Sequence, residues 1–205
     1  DIASLCSYAH RFGARVFVTY NIAIREDELE ELHSQMLKAQ EAGADAFIVR
    51  DERIFEMKDI TVSLHASTQC AIRDIDRAKH FEALGSARIV LERELSLDTV
   101  RKICNGVNCE VEFFVHGALC VCYSGECRLS EYLNGRSADR GECIQACRSL
   151  YDLEDASGNV LVRDKALLSL KDYNLLPSLE ELAEAGVISF KIEGRLKNAS
   201  YVKNV

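Results

Sequence analysis

Short runs rich in β-branched and aromatic residues alternate along this chain with longer stretches of helical periodicity. That alternation is the mark of βα units around a parallel sheet. The runs at 16–21, 46–49, 60–67, 88–94, 111–117, 166–172 and 188–194 predict strands. Between them the spacing predicts helices over 2–12, 26–42, about 70–84, 96–104 and 176–186, and a short one within 50–59. In the second of these, Leu29, Leu32, Met36, Leu37 and Ala39 fall near one face. Gly43, Gly85 and Gly186 stand where helix C-caps are expected, and Ser96 where an N-cap is. A hairpin turning on Ser157, Gly158 and Asn159 is predicted within 149–162.

Seven predicted strands, with a first helix that has no strand before it, are one short of the eight a closed barrel needs. The expected fold class is therefore α/β, a TIM-barrel-like (β/α)8 domain over 1–205, with the first strand and the end of the last helix missing from the pattern. An open, doubly wound sheet is the alternative. No G-x-G-x-x-G run follows any strand, which counts against a dinucleotide fold. The rhythm breaks over about 117–150, a cysteine-rich insertion. The missing strand reads as a portion of a longer protein, and an exposed sheet edge would invite dimerisation.

In such barrels the active site lies at the C-terminal strand ends. The residues at and just beyond those ends are polar almost throughout: Asn21; Arg50, Asp51 and Glu52; His65, Ser67, Thr68 and Gln69; Glu92, Arg93 and Glu94; His116 and Gly117; Lys171 and Asp172; Glu193, Gly194 and Arg195. Loops are polar anyway, so the coincidence across all the strands outweighs any one residue. His65 and His116 are the two histidines at strand ends, each a candidate acid or base, while His10, His33 and His80 fall on helices. Arg93 and Glu94 could form a buried ion pair, or Arg93 could fork onto a carboxylate ligand. Lys191, Glu193 and Arg195 share one face of the last strand by period-two geometry, and a charged inner face is costly unless it is paired or binds something.

The formal net charge is −8 over 205 residues, so nucleic-acid contact would need a local basic patch. No apolar run approaches the roughly 20 residues of a membrane span, and no signal peptide is visible, so a cytoplasmic protein is expected. Nine cysteines are many for this length, and odd in number. In a reducing compartment clustered cysteines point to metal or redox chemistry rather than to disulfides. Cys120 and Cys127 are seven apart; Cys143 and Cys147 are four apart and could share one face of a helical turn. Four thiolates suit a [4Fe–4S] cluster or a structural zinc ion. Zinc sites usually use two close pairs and only one is present, which favours a cluster, with Cys122 as a competing ligand. Cys6, Cys70, Cys104 and Cys109 read as core residues.

The run HGALCVCYSGECRLS (116–130) resembles the signature of the collagenase-like peptidases, family U32, and DRGECIQACR (139–148) resembles the segment that comes after it there. HASTQ (65–69), VLEREL (90–95) and FKIEGRLK (190–197) resemble three further blocks of that family, in the same order. Asp139 stands where the family usually has Asn, and Ala146 where Pro is usual. The resemblance, strongest toward the ribosomal RNA cytidine hydroxylation branch, implies a barrel-like catalytic domain. It implies a [4Fe–4S] cluster on Cys120, Cys127, Cys143 and Cys147, and prephenate as oxygen source. His65, Gln69, Arg93, Glu94, His116, Glu193 and Arg195 fall in the matched blocks as candidate catalytic residues.

Three functions compete. The first is oxygen-independent hydroxylation of an RNA base, with Arg93 or Arg195 holding a prephenate carboxylate and Arg128, Arg136, Arg140 and Arg148 touching RNA. The second is a peptidase acting on protein. It lacks an H-E-x-x-H or G-x-S-x-G run, leaving a Cys120–His116 pair as its nucleophile and base. The third is a zinc-stapled scaffold that binds RNA or protein without catalysis.

Overall fold

A computed structural model of the chain describes residues 1–194 and 197–205. Five parallel strands follow one another in space as in sequence: β1 (Phe17–Tyr20), β2 (Ala46–Val49), β3 (Ser63–Ala66), β4 (Arg88–Val90) and β5 (Glu110–Gly117). Two later strands also pair with β5. β8 (Tyr173–Asn174) does so antiparallel, and β9 (Ser189–Ile192) parallel. A separate hairpin joins β6 (Tyr151–Glu154) to β7 (Val160–Lys165) about the expected turn. The main sheet curls into a half-barrel with β1 and β9 at its two ends. The closed eight-stranded barrel expected from the strand count is not what forms among the described residues.

Period-two alternation divides the sheet into two faces. Phe47 and Val49 of β2, Ile89 of β4, and Val111, Phe113 and Val115 of β5 point outward and are buried. Helices α2 (Leu29–Glu41), α3 (Ile75–Ala83), α4 (Leu97–Gly106) and α6 (Leu179–Glu184) cover them. They contribute Met36 and Ala39, Ala78 and Phe81, Val100 and Ile103, and Leu182 respectively. Helix α1 (Ile2–His10) adds Ile2 to this layer and buries Cys6. Gly43 and Gly186 end α2 and α6 at positive φ, and the Ser96 side chain caps α4 through the Thr99 amide, as the sequence predicts. Helix α3 starts at Ile75 rather than near 70, because Ala71 turns left-handed (φ 54°) and Asp74 caps the helix instead.

The other face is concave and charged at its base. Arg88 donates to Glu110 from Nε at 2.8 Å, and to Glu112 and Ser189 from Nη1 at 2.9 and 3.2 Å. Lys191 reaches the second Glu112 oxygen at 2.9 Å. Burial alone would push the Glu112 carboxyl up; Lys191, Ser189 and Arg88 outweigh it and hold it below its usual range. The charged face of β9 is therefore paired at Lys191 by its own protein.

The run 166–172 is not a strand. Leu167 and Ser169 close tight turns on Lys165 and Ala166, and the Arg148 guanidinium takes the Ser169 hydroxyl at 2.8 Å and the Leu170 carbonyl. Its polar groups serve the cysteine segment, and its leucines stay exposed. Likewise β4 stops at Val90 instead of running to 94, since the Glu92 amide turns back to the Ile72 carbonyl at 3.2 Å. Among the described residues no helix is long and apolar enough to cross a membrane.

The buried charge set makes a stability prediction. Replacing Glu112→Gln leaves Arg88 and Lys191 short of a counter-charge and should cost about 3 kcal/mol in urea denaturation. A loss below about 1 kcal/mol would place the pairs among the weak surface kind.

Candidate metal centre and strand-end site

Above that base the same inward phase brings Asn21, Arg50, Ser67, Glu92, His116 and Glu193 to the C-terminal strand ends, and the cysteine segment folds over them. The segment holds one helix, α5 (Leu129–Asn134), and two single 3-10 turns. Four arginines fasten it. Arg140 bonds the Ala23 carbonyl at 2.7 Å and Glu28 at 2.9 Å. Arg148 ties the Leu119 carbonyl to the 166–170 run. Arg50 donates to the Gly125 carbonyl at 3.2 Å and lies 3.5 Å from buried Asp139, which Arg128 also approaches at 3.3 Å.

The turn at Ser124–Gly125 packs closely on the strand-end residues. Gly125 has φ +79°, and a Cβ there would lie 2.5 Å from the Gln69 carbonyl oxygen and 3.2 Å from its side-chain oxygen. Only glycine allows the turn to sit so low. The Ser124 amide donates to Glu92 at 3.4 Å. Arg50, Gln69 and Glu92, from the ends of β2, β3 and β4, thus all touch one dipeptide.

Each of these residues keeps a buried polar atom without a partner: Arg50 Nη1, Gln69 Oε1 and Glu92 Oε1. Nearby Arg93 keeps its Nε unpaired while Nη1 binds Glu193 at 3.0 Å and the Ala118 carbonyl. Buried polar groups are nearly always satisfied, so four orphans at one mouth mark a place where something else binds. Glu92 is 0% exposed. Burial first, and the Glu94 charge second, push its carboxyl up to about 7.

The sequence-predicted residues separate into groups. Arg93, Glu193, His116 and Gln69 stand at the mouth. Arg93 pairs with Glu193 and stacks 3.9 Å from the Phe114 ring centre, so the Arg93–Glu94 pair does not form, and Glu94 is exposed. His116 shares a 2.6 Å hydrogen bond with Tyr201 of α7 (Ala199–Asn204); the Cys120–His116 pair is not formed. His65 lies lower, in register with Arg88 and edge-on to Phe17 at 5.0 Å. Burial, then Arg88, lowers its pKa to about 4, so it is neutral at physiological pH. Arg195 lies outside the described residues. Helical histidines His10, His33 and His80 pair with Asp45, Asp59 and Glu52.

The thiols gather in two groups. Cys120 is influenced by Cys147 and Cys143: burial pushes its thiol up, Arg93 pulls it down, and the two cysteines push it up again. Burial first, and neighbouring Cys127 second, raise the Cys122 thiol. Cys143 and Cys147 do not share a helical turn. Gln145 between them is left-handed (φ 56°), and its amide donates to Cys143 Sγ at 3.4 Å. Among the described residues no three His, Cys, Asp or Glu side chains converge as ligands of a single ion would. Cys6 and Cys70 are buried core residues as expected, and Cys104 and Cys109 are half-buried.

Sequence reasoning names Arg50 and Glu92 as strand-end residues without placing them in the site, and misses Ser124, Gly125 and Asp139. The inward phase set by Arg88 and Glu112 is the available signal for Glu92.

An enzyme-like mouth on a parallel half-barrel, roofed by a cysteine segment, defines the class. The chain belongs to peptidase family U32, whose family description matches residues 1–205. It is 49% identical over 205 residues to the 23S rRNA 5-hydroxycytidine C2501 synthase of Escherichia coli, covering 100% of this chain and 31% of that protein. It is 34% identical over 214 residues to tRNA hydroxylation protein P1 of Bacillus subtilis, covering 100% of this chain and 51% of that one. The chain therefore spans 31% to 51% of the length of these relatives. The solved structure of the U32 peptidase Mk0906 has the same fold, with a TM-score of 0.58 at 15% identity over 96% of this chain and 76% of that one.

The state of Glu92 predicts a pH dependence. Its folded pKa of about 7 lies above the ordinary 4.5, so the folded protein binds this proton more tightly than the unfolded chain. Stability should therefore fall as pH rises from about 4.5 through about 7. Thermal melts across that range should show the fall in the wild type and a flatter profile in Glu92→Gln. Equal slopes would mean that Glu92 is not held protonated.

Proposed function

We propose that this chain carries the catalytic half-barrel of an RNA-base hydroxylation protein, acting on a cytidine of large-subunit ribosomal RNA. The observation that carries this reading is the set of unpaired buried atoms of Arg50, Gln69, Glu92 and Arg93 under the cysteine segment. A site built for hydrogen-bonding a substrate leaves such atoms waiting, whereas a purely structural mouth would have satisfied them. Two relatives matched over the full chain act on RNA by their names, which supports the same substrate class.

In this reading Cys120, Cys127, Cys143 and Cys147 hold a [4Fe–4S] cluster, which would supply one-electron chemistry. The donor set fits: soft thiols spread along one segment, an amide hydrogen bond to sulfur at Cys143, and Arg93 beside Cys120 to offset thiolate charge. Each cysteine of such a cluster would bind a different iron, and the four thiols on one segment supply the number of soft donors it needs. Arg93, braced by Glu193 and Phe114, orients a carboxylate of a small organic co-substrate such as prephenate. Glu92 and Gln69 offer hydrogen bonds to the base, and the Ser124–Gly125 turn keeps water from them. The peptidase reading has less to work with, since His116 is engaged by Tyr201 rather than by a thiol.

The test is purification without oxygen, followed by iron, sulfide and zinc analysis. The expected result is a brown protein with stoichiometric iron and sulfide, both lost in Cys127→Ala. A colourless protein with one zinc per chain would replace the cluster with a zinc staple. Gelatin cleavage that survives chelation and Cys120→Ala would restore the peptidase reading.

A further inference from the structure

The cysteine segment has an outer surface as well as the inner one that touches the strand ends. Of the four arginines that the sequence offers for RNA, two are used up inside the protein. Arg140 is locked onto Glu28 and the Ala23 carbonyl, and Arg148 onto two carbonyls and Ser169. Arg128 and Arg136 remain outside. The Arg128 side chain is 65% exposed although it holds Glu131 at 3.2 Å and Asp139 at 3.3 Å, and among the described residues Arg136 makes no ion pair. Arg73, at the end of the β3 loop, joins them: its guanidinium lies 4.1 Å from the Tyr123 ring centre and is held there by Glu126.

Two tyrosines stand among these arginines. Tyr132 on α5 is 86% exposed and Tyr123 is 50% exposed. A tyrosine that open is not contributing to the core. Both sit on rigid supports. Arg128 at the start of α5 is anchored by Asp139, Ser130 accepts the Ile144 amide at 3.2 Å, and Tyr123 is clamped by Arg73. Aromatic rings and guanidinium planes alternating on a fixed surface are what single-stranded nucleic acid uses, bases on the rings and phosphates on the arginines. The face lies directly over the strand-end mouth, because Asp139 links Arg128 on the outside to Arg50 on the inside.

We infer that Tyr123, Tyr132, Arg73, Arg128 and Arg136 form a docking face for single-stranded RNA on the roof of the site. This rests on the RNA reading above and adds where the strand lies: across the cysteine segment, flanking a nucleotide that enters the mouth below. A protein partner would favour the neighbouring Leu133 and Val121 instead, without need of the arginines. The overall charge of −8 repels RNA elsewhere, so binding depends on this patch.

The experiment is fluorescence anisotropy of the protein with a labelled single-stranded oligocytidylate, at several salt concentrations, with a duplex RNA of equal length for comparison. Wild type should prefer the single strand. Its log K should fall with log salt with a slope between about −0.7, from unpaired Arg136 alone, and about −2 if phosphates also displace the carboxylates that hold Arg73 and Arg128. Tyr132→Ala should weaken binding roughly 5- to 150-fold and leave the slope unchanged, since a stacked base is lost and no phosphate contact. Arg136→Ala should reduce the slope by about 0.7. Tyr8→Ala on α1, at a ring 60% exposed and away from the face, should change nothing. All three positions are exposed, so melting temperatures should stay within about 2 °C of wild type. If wild type binds RNA while Tyr132→Ala and Arg136→Ala bind equally well, the docking face is wrong and the RNA reading survives. If wild type binds neither RNA, both fall together. Binding that weakens in Tyr132→Ala but has no salt dependence in any form would turn the face into an apolar protein contact and overturn the inference.

Discussion

The half-barrel rests on one buried guanidinium. Arg88 forks across Glu110 and Glu112 of β5 and reaches Ser189 of β9, so a single side chain ties three strands together at the base of the concave face. An unpaired charge at that depth would cost several kcal/mol, and two carboxylates and Lys191 remove the penalty. The pairing also fixes the phase of every strand it touches. Arg88 and Glu112 face in, and above them stand Glu92, just past the end of β4, and His116, just past the register shift in the β5–β9 pairing. The position of the site is thus a consequence of where the charges at its base are neutralised.

Among the described residues, four of the five buried unpaired atoms belong to the upper layer, and the lower layer holds the fifth, His65 Nδ1. Below, the charges of Arg88, Glu112 and Lys191 are all paired, and of the described residues beside them His65 alone keeps an unpaired atom, its Nδ1. Above, Arg50, Gln69, Glu92 and Arg93 each keep one atom unpaired while the rest of the side chain is held firmly. Rigid supports with open hydrogen-bonding atoms are the pre-organised condition that binding and catalysis favour. The two layers are built from the same residue types, so neither charge nor burial alone distinguishes them; the concentration of unpaired atoms in the upper one does.

Much of this is legible in the residues. The run AFIV marks strand 46–49 to the residue, because both its ends are flanked by turn-forming neighbours. Helix α4 and its Ser96 cap, and the hairpin about Gly158, are legible for the same local reason. The run at 166–172 misleads because its leucines look like core, while its fold is set by Arg148, a contact with no local signature. The sequence favours Glu94 over Glu92 because the strand pattern carries on past Val90, where β4 really stops. There the chain turns, which leaves Glu94 exposed but near enough for its charge to act on Glu92 and Cys120. The meeting of Gln69 with Gly125 joins positions far apart in sequence, and no pattern of polarity encodes it.

The interval between Cys120 and Cys127 looks too wide for a metal-binding knuckle. The Ser124–Gly125 turn accounts for its length: the chain leaves Cys120, descends to touch Gln69 and Glu92, and climbs back to Cys127. The interval is a measure of depth. Shortening it by a residue would lift the turn off the sheet, and lengthening it would loosen the fit at a glycine that has no room to spare. The spacing of the cysteines therefore records the distance from the roof of the site to its floor.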